Sequence, residues 1–229
     1  MREKILYAVA IAAGFLLANN IYNIFMVLPD EASQGMIYRI MYFHIPSWWT
    51  ALPAAGVALV ASILYLTTGK LRYDALAVSV TEVGVAFVCI GLATGMIWGR
   101  IIWGIWWTWD ARLTSALICL LLYAGYLMLR TTMDEPGQRA KICAVFSIFA
   151  FADVPIVWYS IRWWRTQHPP PMELPPDMMR AVLVNWLALL LLSVVLVAIR
   201  IHQENRLREL AGLHRQVLER ETDSLLPRV

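Results

Sequence analysis

Six stretches of this chain are apolar for long enough to cross a lipid bilayer, and they restrict its fold more than anything else in the sequence. They run approximately over 5–28, 49–67, 75–97, 113–130, 142–160 and 181–199, where a hydrocarbon core asks for roughly 20 helical residues. Inside lipid every backbone N–H and C=O must be paired within the chain, which leaves helices or a closed barrel. The apolar runs are continuous and lack the alternation of barrel strands. The expected fold is therefore all-α, an integral membrane bundle of six transmembrane helices. Composition agrees, at 60% hydrophobic and 15% charged residues with a mean hydropathy of +0.60. The start of the chain, through Leu28, joins a basic flank to an apolar stretch too long for the core of a signal peptide. It reads as an uncleaved first span.

Charge then orients the bundle. The N-terminus, the turn with Lys70 and Arg72, the segment with Arg130, Arg139 and Lys141, and the tail from Arg200 hold thirteen basic residues. The intervening loops hold six: Arg39, Arg100, Arg112, Arg162, Arg165 and Arg180. The excess of positive charge on cytoplasmic segments places both termini in the cytoplasm. Loop 1 (about 29–48), a Trp-rich loop between spans 3 and 4 (about 98–112) and loop 3 (about 161–180) then emerge together on the extracytoplasmic face. Residues 1–200 form the membrane domain, and 201–229 a polar tail. Leucines at 207, 210, 213 and 218 make that tail an amphipathic helix for the membrane surface or a partner; a plain solvated tail fits equally well.

The Trp-rich loop reads WGRIIWGIWWTWDARLTS and carries five of the eleven tryptophans. Trp103, Trp106, Trp107 and Asp110 have i, i+3, i+4, i+7 spacing, so a helical turn would align them on one face. An interfacial aromatic belt accounts for one or two tryptophans at a helix end. Five beside Asp110, with Arg100 and Arg112 close by, suit a flat, mostly apolar ligand that carries acidic groups. Two of the four histidines lie on the same face. His44 (RIMYFHIPSWW) precedes span 2 beside Trp48 and Trp49, and His168 (IRWWRTQHPPP) follows span 5 beside Trp163 and Trp164. Neutral imidazole is the usual axial ligand of haem iron, and arginine suits the carboxylates of such a ligand. Taken singly, each histidine is better explained by a hydrogen bond to a backbone carbonyl; taken jointly with the tryptophans, the ligand reading prevails. His202 and His214 read as solvated tail residues.

Other chemistries lack support. A net charge of +3 without a basic block gives no footprint for nucleic acid. Cys89, Cys119 and Cys143 sit in apolar runs without CxxC spacing, and no HExxH, calcium loop, phosphate loop or activated nucleophile is present. Glu82 and Asp153 lie within apolar spans, where an ionised side chain costs about 2.5–3.5 kcal/mol, so each should face the bundle and find a partner. Asp153 precedes Pro155 and could line the floor of the ligand site or bond a freed backbone group. Asp110, just before span 4, suits either a helix cap or a contact that meets a partner protein or orients an arginine on the ligand side.

At these residues the chain resembles a known family. WGIWWTWDARLTS is similar to the tryptophan-rich signature of the haem-handling WWD superfamily of cytochrome c biogenesis. RIMYFHIP, VPIVWYSIRWWRTQH and the six spans narrow the resemblance, over about 36–200, to the haem exporter protein C family. The resemblance implies haem b carried as a transported ligand on the outer face of a bacterial inner membrane, with His44 and His168 as axial ligands of the iron and Trp103, Trp106, Trp107, Trp109 and Asp110 around it. It also implies partners: an ABC-type ATPase with its membrane subunit, a small single-span protein, and a periplasmic haem chaperone. One departure is the run Pro169–Pro171 after His168, which stiffens the loop. The reading is a binding module and not an enzyme, presenting haem on an exposed platform. The rivals are a haem-translocating transporter subunit and a haem lyase component.

Overall fold

The computed structural model describes residues 2–170 and 173–225 of the 229. Helix α1 (Arg2–Tyr22) is prolonged by one wide turn, Asn23–Val27, and a tight turn at Met36–Ile40 runs into α2 (Met41–Thr68). Then follow α3 (Leu71–Ile102), α4 (Ala111–Thr131), α5 (Pro136–Phe151), α6 (Asp153–Trp163) and α7 (Pro176–Leu225). Among the described residues six helical stretches are long and apolar enough to span a membrane, α5 and α6 jointly making one of them. The six-span, all-α expectation holds.

Local chemistry sets most boundaries. Gly69 takes a left-handed conformation (φ 66°) and returns its N–H to the Tyr65 carbonyl at 2.8 Å, which ends α2 and lets α3 double back. Asp110 caps α4, and Glu135 followed by Pro136 caps α5. The α5–α6 break at Ala152 lies beside Pro155, which cannot donate to the Phe151 carbonyl. Between α2 and α3 the buried residues are largely small: Ala51, Ala55, Ala58 and Ser62 on one side, Ala75, Ser79, Gly84 and Gly91 on the other. In lipid, where tails are as apolar as leucine, such close backbone approach is the main source of helix attraction. Helix α1 lies against α7, where Asn20 Nδ2 donates to the Ala181 carbonyl at 2.9 Å.

Hydropathy misplaced several ends. Span 2 begins at Met36 and not near 49, because RIMYFHIPSWW is helical although it carries Arg39, His44, Pro46 and Ser47. Its Tyr42 is buried in one cluster with Tyr38 of the preceding turn, Trp98 of α3 and Met178, Ala181 and Val182 of α7, with Phe43 and Trp49 packed against it, while Trp48 is buried in a second core cluster. The Trp-rich loop shrinks from 98–112 to 103–110, since α3 runs to Ile102 and α4 starts at Ala111. The tail does not begin a separate helix. Helix α7 continues unbroken past position 200 to Leu225, about 75 Å at 1.5 Å per residue, and residues 226–229 lie outside the described part.

At the end of the bundle opposite the Trp-rich loop, charged side chains hold this extension. Arg130 forms a two-pronged pair with Asp74 (2.7 and 3.0 Å), Arg208 reaches Asp74 at 2.6 Å, and Glu204 lies between Arg130 and Arg208. Arg200 joins Glu204 to Glu82. Glu82 thus has the partner its position required. Asp153 does not: it is buried, its Oδ2 has no hydrogen-bond partner among the described residues, and it does not line the cavity at the loop end.

Candidate functional site

The loop end of the bundle encloses a cavity of about 360 Å³, within the range of roughly 300–1,000 Å³ common for small-molecule and cofactor sites. Its walls come from α2, α3, α4, α6, the segment after α6 and the start of α7. It is a recess between helices and not the exposed platform expected from the sequence. The lining is mostly apolar, with His44, His168, Arg112, Arg162 and Tyr38 as its ionisable groups.

His44 lies on the first turn of α2, not in a loop. Its Nδ1 is 2.9 Å from the Gly91 carbonyl of α3 and 3.1 Å from Thr94 Oγ1. A carbonyl only accepts, so the proton sits on Nδ1 and the Nε2 lone pair is left free. Two glycines of α3 make this approach possible. A Cβ on Gly95 would lie 2.9 Å from His44 Cε1, and one on Gly91 would lie 2.6 Å from Trp48 Nε1. Gly95→Val is therefore expected to push the imidazole out of place, and Gly91→Ala to cost about 1–3 kcal/mol by overpacking. Thermal melts in detergent check the second, and an unchanged melt would refute the close fit.

His168 is built differently, on the segment between α6 and α7. Its Nδ1 donates to the Pro169 carbonyl at 2.8 Å, again leaving Nε2 free, and its backbone N–H donates to Thr166 Oγ1 at 3.0 Å. Burial, helped by the positive charge of Arg112, holds its pKa below the ordinary 6.5, so the ring is neutral at pH 7. The prolines after it hold this geometry: Pro169 supplies the acceptor, and Pro169 and Pro170 line the cavity. Pro171 lies outside the described residues. Although 124 positions apart, the two imidazoles face each other across the cavity with centroids 6.4 Å apart and planes inclined by 30°. Two imidazoles bound through Nε2 to one metal, at ~2 Å each, have centroids roughly 6 Å apart. Each histidine does bond a backbone carbonyl, yet through Nδ1, which orients the ring and leaves the ligating nitrogen free. Among the described residues no three His, Cys, Asp or Glu side chains gather into a metal site, so a metal held here would need further ligands from elsewhere.

The Trp-rich segment is not helical, and the expected alignment of Trp103, Trp106, Trp107 and Asp110 on one face does not form. Gly104 turns the chain at φ 78°. Trp103 and Trp107 line the cavity, Trp103 packed edge-on against Trp98 at 4.9 Å and Trp107 with a buried Nε1–H that lacks an acceptor among the described residues. Trp106 and Trp109 instead are 56% and 77% exposed and do not line it. Their places are taken by Trp48, Trp49, Trp98 and Trp158. Trp158 was overlooked in the sequence, where only its distance of one helical turn from Arg162 hinted at a shared face.

The charged candidates also divide. Arg100 is exposed and donates to the Gly104 carbonyl, so it serves the turn and not the cavity. Arg112 lines the cavity, donates to the Val157 carbonyl and has no ion-pair partner among the described residues. Arg162 lines it too. Asp110 is absent from the wall but fixes it. One oxygen accepts from Leu113 N at 2.9 Å, capping α4, and the other accepts from Thr166 Oγ1 and Gln167 N at 2.7 and 3.0 Å. Partial burial raises its pKa, but these donors outweigh it and hold the carboxyl below the ordinary 3.8. The stabilisation is complete above that ordinary value and is lost as pH falls through the lower folded-state value. Asp110→Ala is expected to cost about 1–2 kcal/mol for the cap alone and to free the 164–170 segment. Faster hydrogen exchange in that segment checks this, and unchanged exchange would refute the tether.

Comparison with known proteins places the chain in one family. The family model described as "Heme exporter protein C" matches residues 1–216. The chain is 36% identical to Heme exporter protein C of Bradyrhizobium diazoefficiens over 74% of its length and 64% of that protein's, and 36% identical to Heme exporter protein C of Escherichia coli K12 over 61% and 57%. It is also 30% identical, over 90% of its length and 78% of the other's, to an Arabidopsis thaliana protein named for cytochrome c biosynthesis and likeness to ccmC. The matches thus span less than two thirds of the two bacterial relatives' length.

Proposed function

This chain belongs to the Heme exporter protein C family, and from that premise we propose that it is a membrane haem-handling protein of cytochrome c biogenesis. It binds haem b, as cargo, at the loop end of the bundle and delivers it to a haem chaperone outside the membrane. The observation that carries this reading is the His44–His168 pair, 6.4 Å apart across a tryptophan-lined cavity, with both Nδ1 atoms committed to carbonyls. The two Nε2 atoms are the axial ligands of the iron. Trp103 and Trp107 supply apolar wall, and Arg112 and Arg162 supply cations for the carboxylates of the ligand. Asp110 holds the two loops in register, while Trp106, Trp109 and Arg100 face outward, where a delivering or receiving protein has access to them.

The arrangement suits a carrier. Ligands borne by a short loop and by one helix turn can separate to release what they hold, whereas the helices behind them stay packed. The excess of basic residues at the opposite end supports cytoplasmic termini in a bacterial inner membrane. The expected neighbours are an ABC-type ATPase with its membrane subunit and a small single-span protein.

Titration of the detergent-solubilised protein with haem tests the reading. One equivalent should give the visible spectrum of a low-spin iron with two nitrogen ligands, and a high-spin spectrum or absence of binding would overturn it. Arg112→Gln is expected to weaken haem binding about tenfold, the scale of one charge-assisted hydrogen bond, while Arg100→Gln leaves it unchanged. Equal effects of the two would count against Arg112 as a cavity cation.

A further inference from the structure

Helix α2 carries a proline at position 46, two residues after His44. Proline has no N–H, so the carbonyl four residues earlier, that of Tyr42, loses its helical partner. In a membrane helix such a freed carbonyl must be satisfied from elsewhere. Here the donor comes from a different helix: Asn185 of α7 sends Nδ2 to the Tyr42 carbonyl at 2.6 Å. Asn185 is fully buried and Tyr42 nearly so. Only the amide nitrogen can lie this close to a carbonyl oxygen, which fixes the orientation of the side chain. On either side of the break the helix mends itself. Ser47 Oγ donates to the Phe43 carbonyl at 2.7 Å and Thr50 Oγ1 to the Pro46 carbonyl at 2.9 Å. The Tyr42 carbonyl is the one that depends on another helix.

We propose that Asn185 is a positioning residue for His44: by taking up the carbonyl that Pro46 leaves free, it fixes the first turn of α2 and the imidazole which that turn carries. The first turn, Met41 to Ile45, is separated by the proline from the rest of α2. It is anchored to α7 through Asn185 and to α3 through the His44 Nδ1 bond to Gly91. With one anchor gone, the ring swings about the other and its separation and tilt relative to the His168 ring, 6.4 Å and 30°, are lost. The inference rests on the reading of His44 as an iron ligand, and its test separates the two.

The experiment compares the full-length protein in detergent with Asn185→Leu, Pro46→Ala and the double variant, and uses His44→Ala as reference. In the haem-free protein, Asn185→Leu should raise hydrogen exchange in the segment 41–48 about tenfold, on the scale of one lost buried hydrogen bond. In the haem-loaded protein it should lower the low-spin fraction toward that of His44→Ala. In the Pro46→Ala background residue 46 again supplies an N–H to Tyr42, so Asn185→Leu should add little to either readout. Equal effects of Asn185→Leu in both backgrounds, or unchanged exchange in 41–48, would overturn the proposal. If exchange rises as expected but His44→Ala itself leaves the spectrum unaltered, the ligation reading has failed and the link from Asn185 to ligation falls with it. Asn185→Ser, which keeps a shorter donor, serves for the same comparison if the leucine variant does not fold.

Discussion

His44→Ala and His168→Ala are each expected to abolish the low-spin spectrum of the haem-loaded protein and to lower haem affinity by more than about 100-fold, beyond the 10–100-fold typical of residues that only orient a ligand. The expectation follows from the way each ring is held. In both, Nδ1 is spent on a backbone carbonyl, so Nε2 is the free nitrogen, and the ring separation of 6.4 Å leaves room for one metal between them. Loss of either ring leaves one axial ligand, which favours a high-spin iron. Gly95→Val should give the same spectrum without replacing either histidine, because its added bulk meets His44 Cε1. If both alanine variants kept the wild-type spectrum, iron would be held elsewhere, and the Trp-lined cavity would have to be read as a binding site for something other than a metal-centred ring.

Asp74→Ala is expected to lower stability by about 3–5 kcal/mol, the cost of leaving a buried opposite charge without its partner. Asp74 is 3% exposed and Arg130 is 7% exposed, and Asp74 receives both prongs of Arg130 together with Arg208. Its removal leaves Arg130 and Arg208 with only the carboxylate of Glu204 between them, a net uncompensated positive charge at the point where α7 leaves the bundle. The contrast is Glu209→Ala, which breaks the Arg206–Glu209 pair, 64% and 60% exposed, and should change stability by about 0.5 kcal/mol or less. Denaturant unfolding followed by the helical signal distinguishes the two. Similar small losses in both variants would mean that the network is solvated and does not brace the helix.

The transmembrane architecture was legible in the sequence because its cause is local. Lipid forces each apolar stretch to satisfy its own backbone, so length and hydropathy alone yield six helices. Ends were less legible where the rule weakens. Residues 36–48 are helical although Arg39, His44, Pro46 and Ser47 interrupt their apolar run, since Tyr38, Tyr42 and Trp48 are buried against other helices, and no hydropathy window contains that information.

For the site, residue types were legible and their assignment was not. Two histidines flanked by tryptophans stood out, and the fold brings them face to face. Of the tryptophans and arginines, the sequence could not say that Trp103, Trp107 and Arg112 line the cavity while Trp106, Trp109 and Arg100 turn away. Helical periodicity put Trp106 on the same face as Trp103, but the segment takes its shape from Gly104 and from Asp110, whose second oxygen holds a loop 56 residues later. The same holds for Asn185 with Tyr42 and for Arg130 with Asp74. The sequence by itself determined the helical spans and the chemical groups at their ends, because solvent and backbone act on each segment alone. Only the tertiary structure decided which groups meet, because a hydrogen bond across 56 to 143 residues depends on how separate helices pack, and nothing local encodes that.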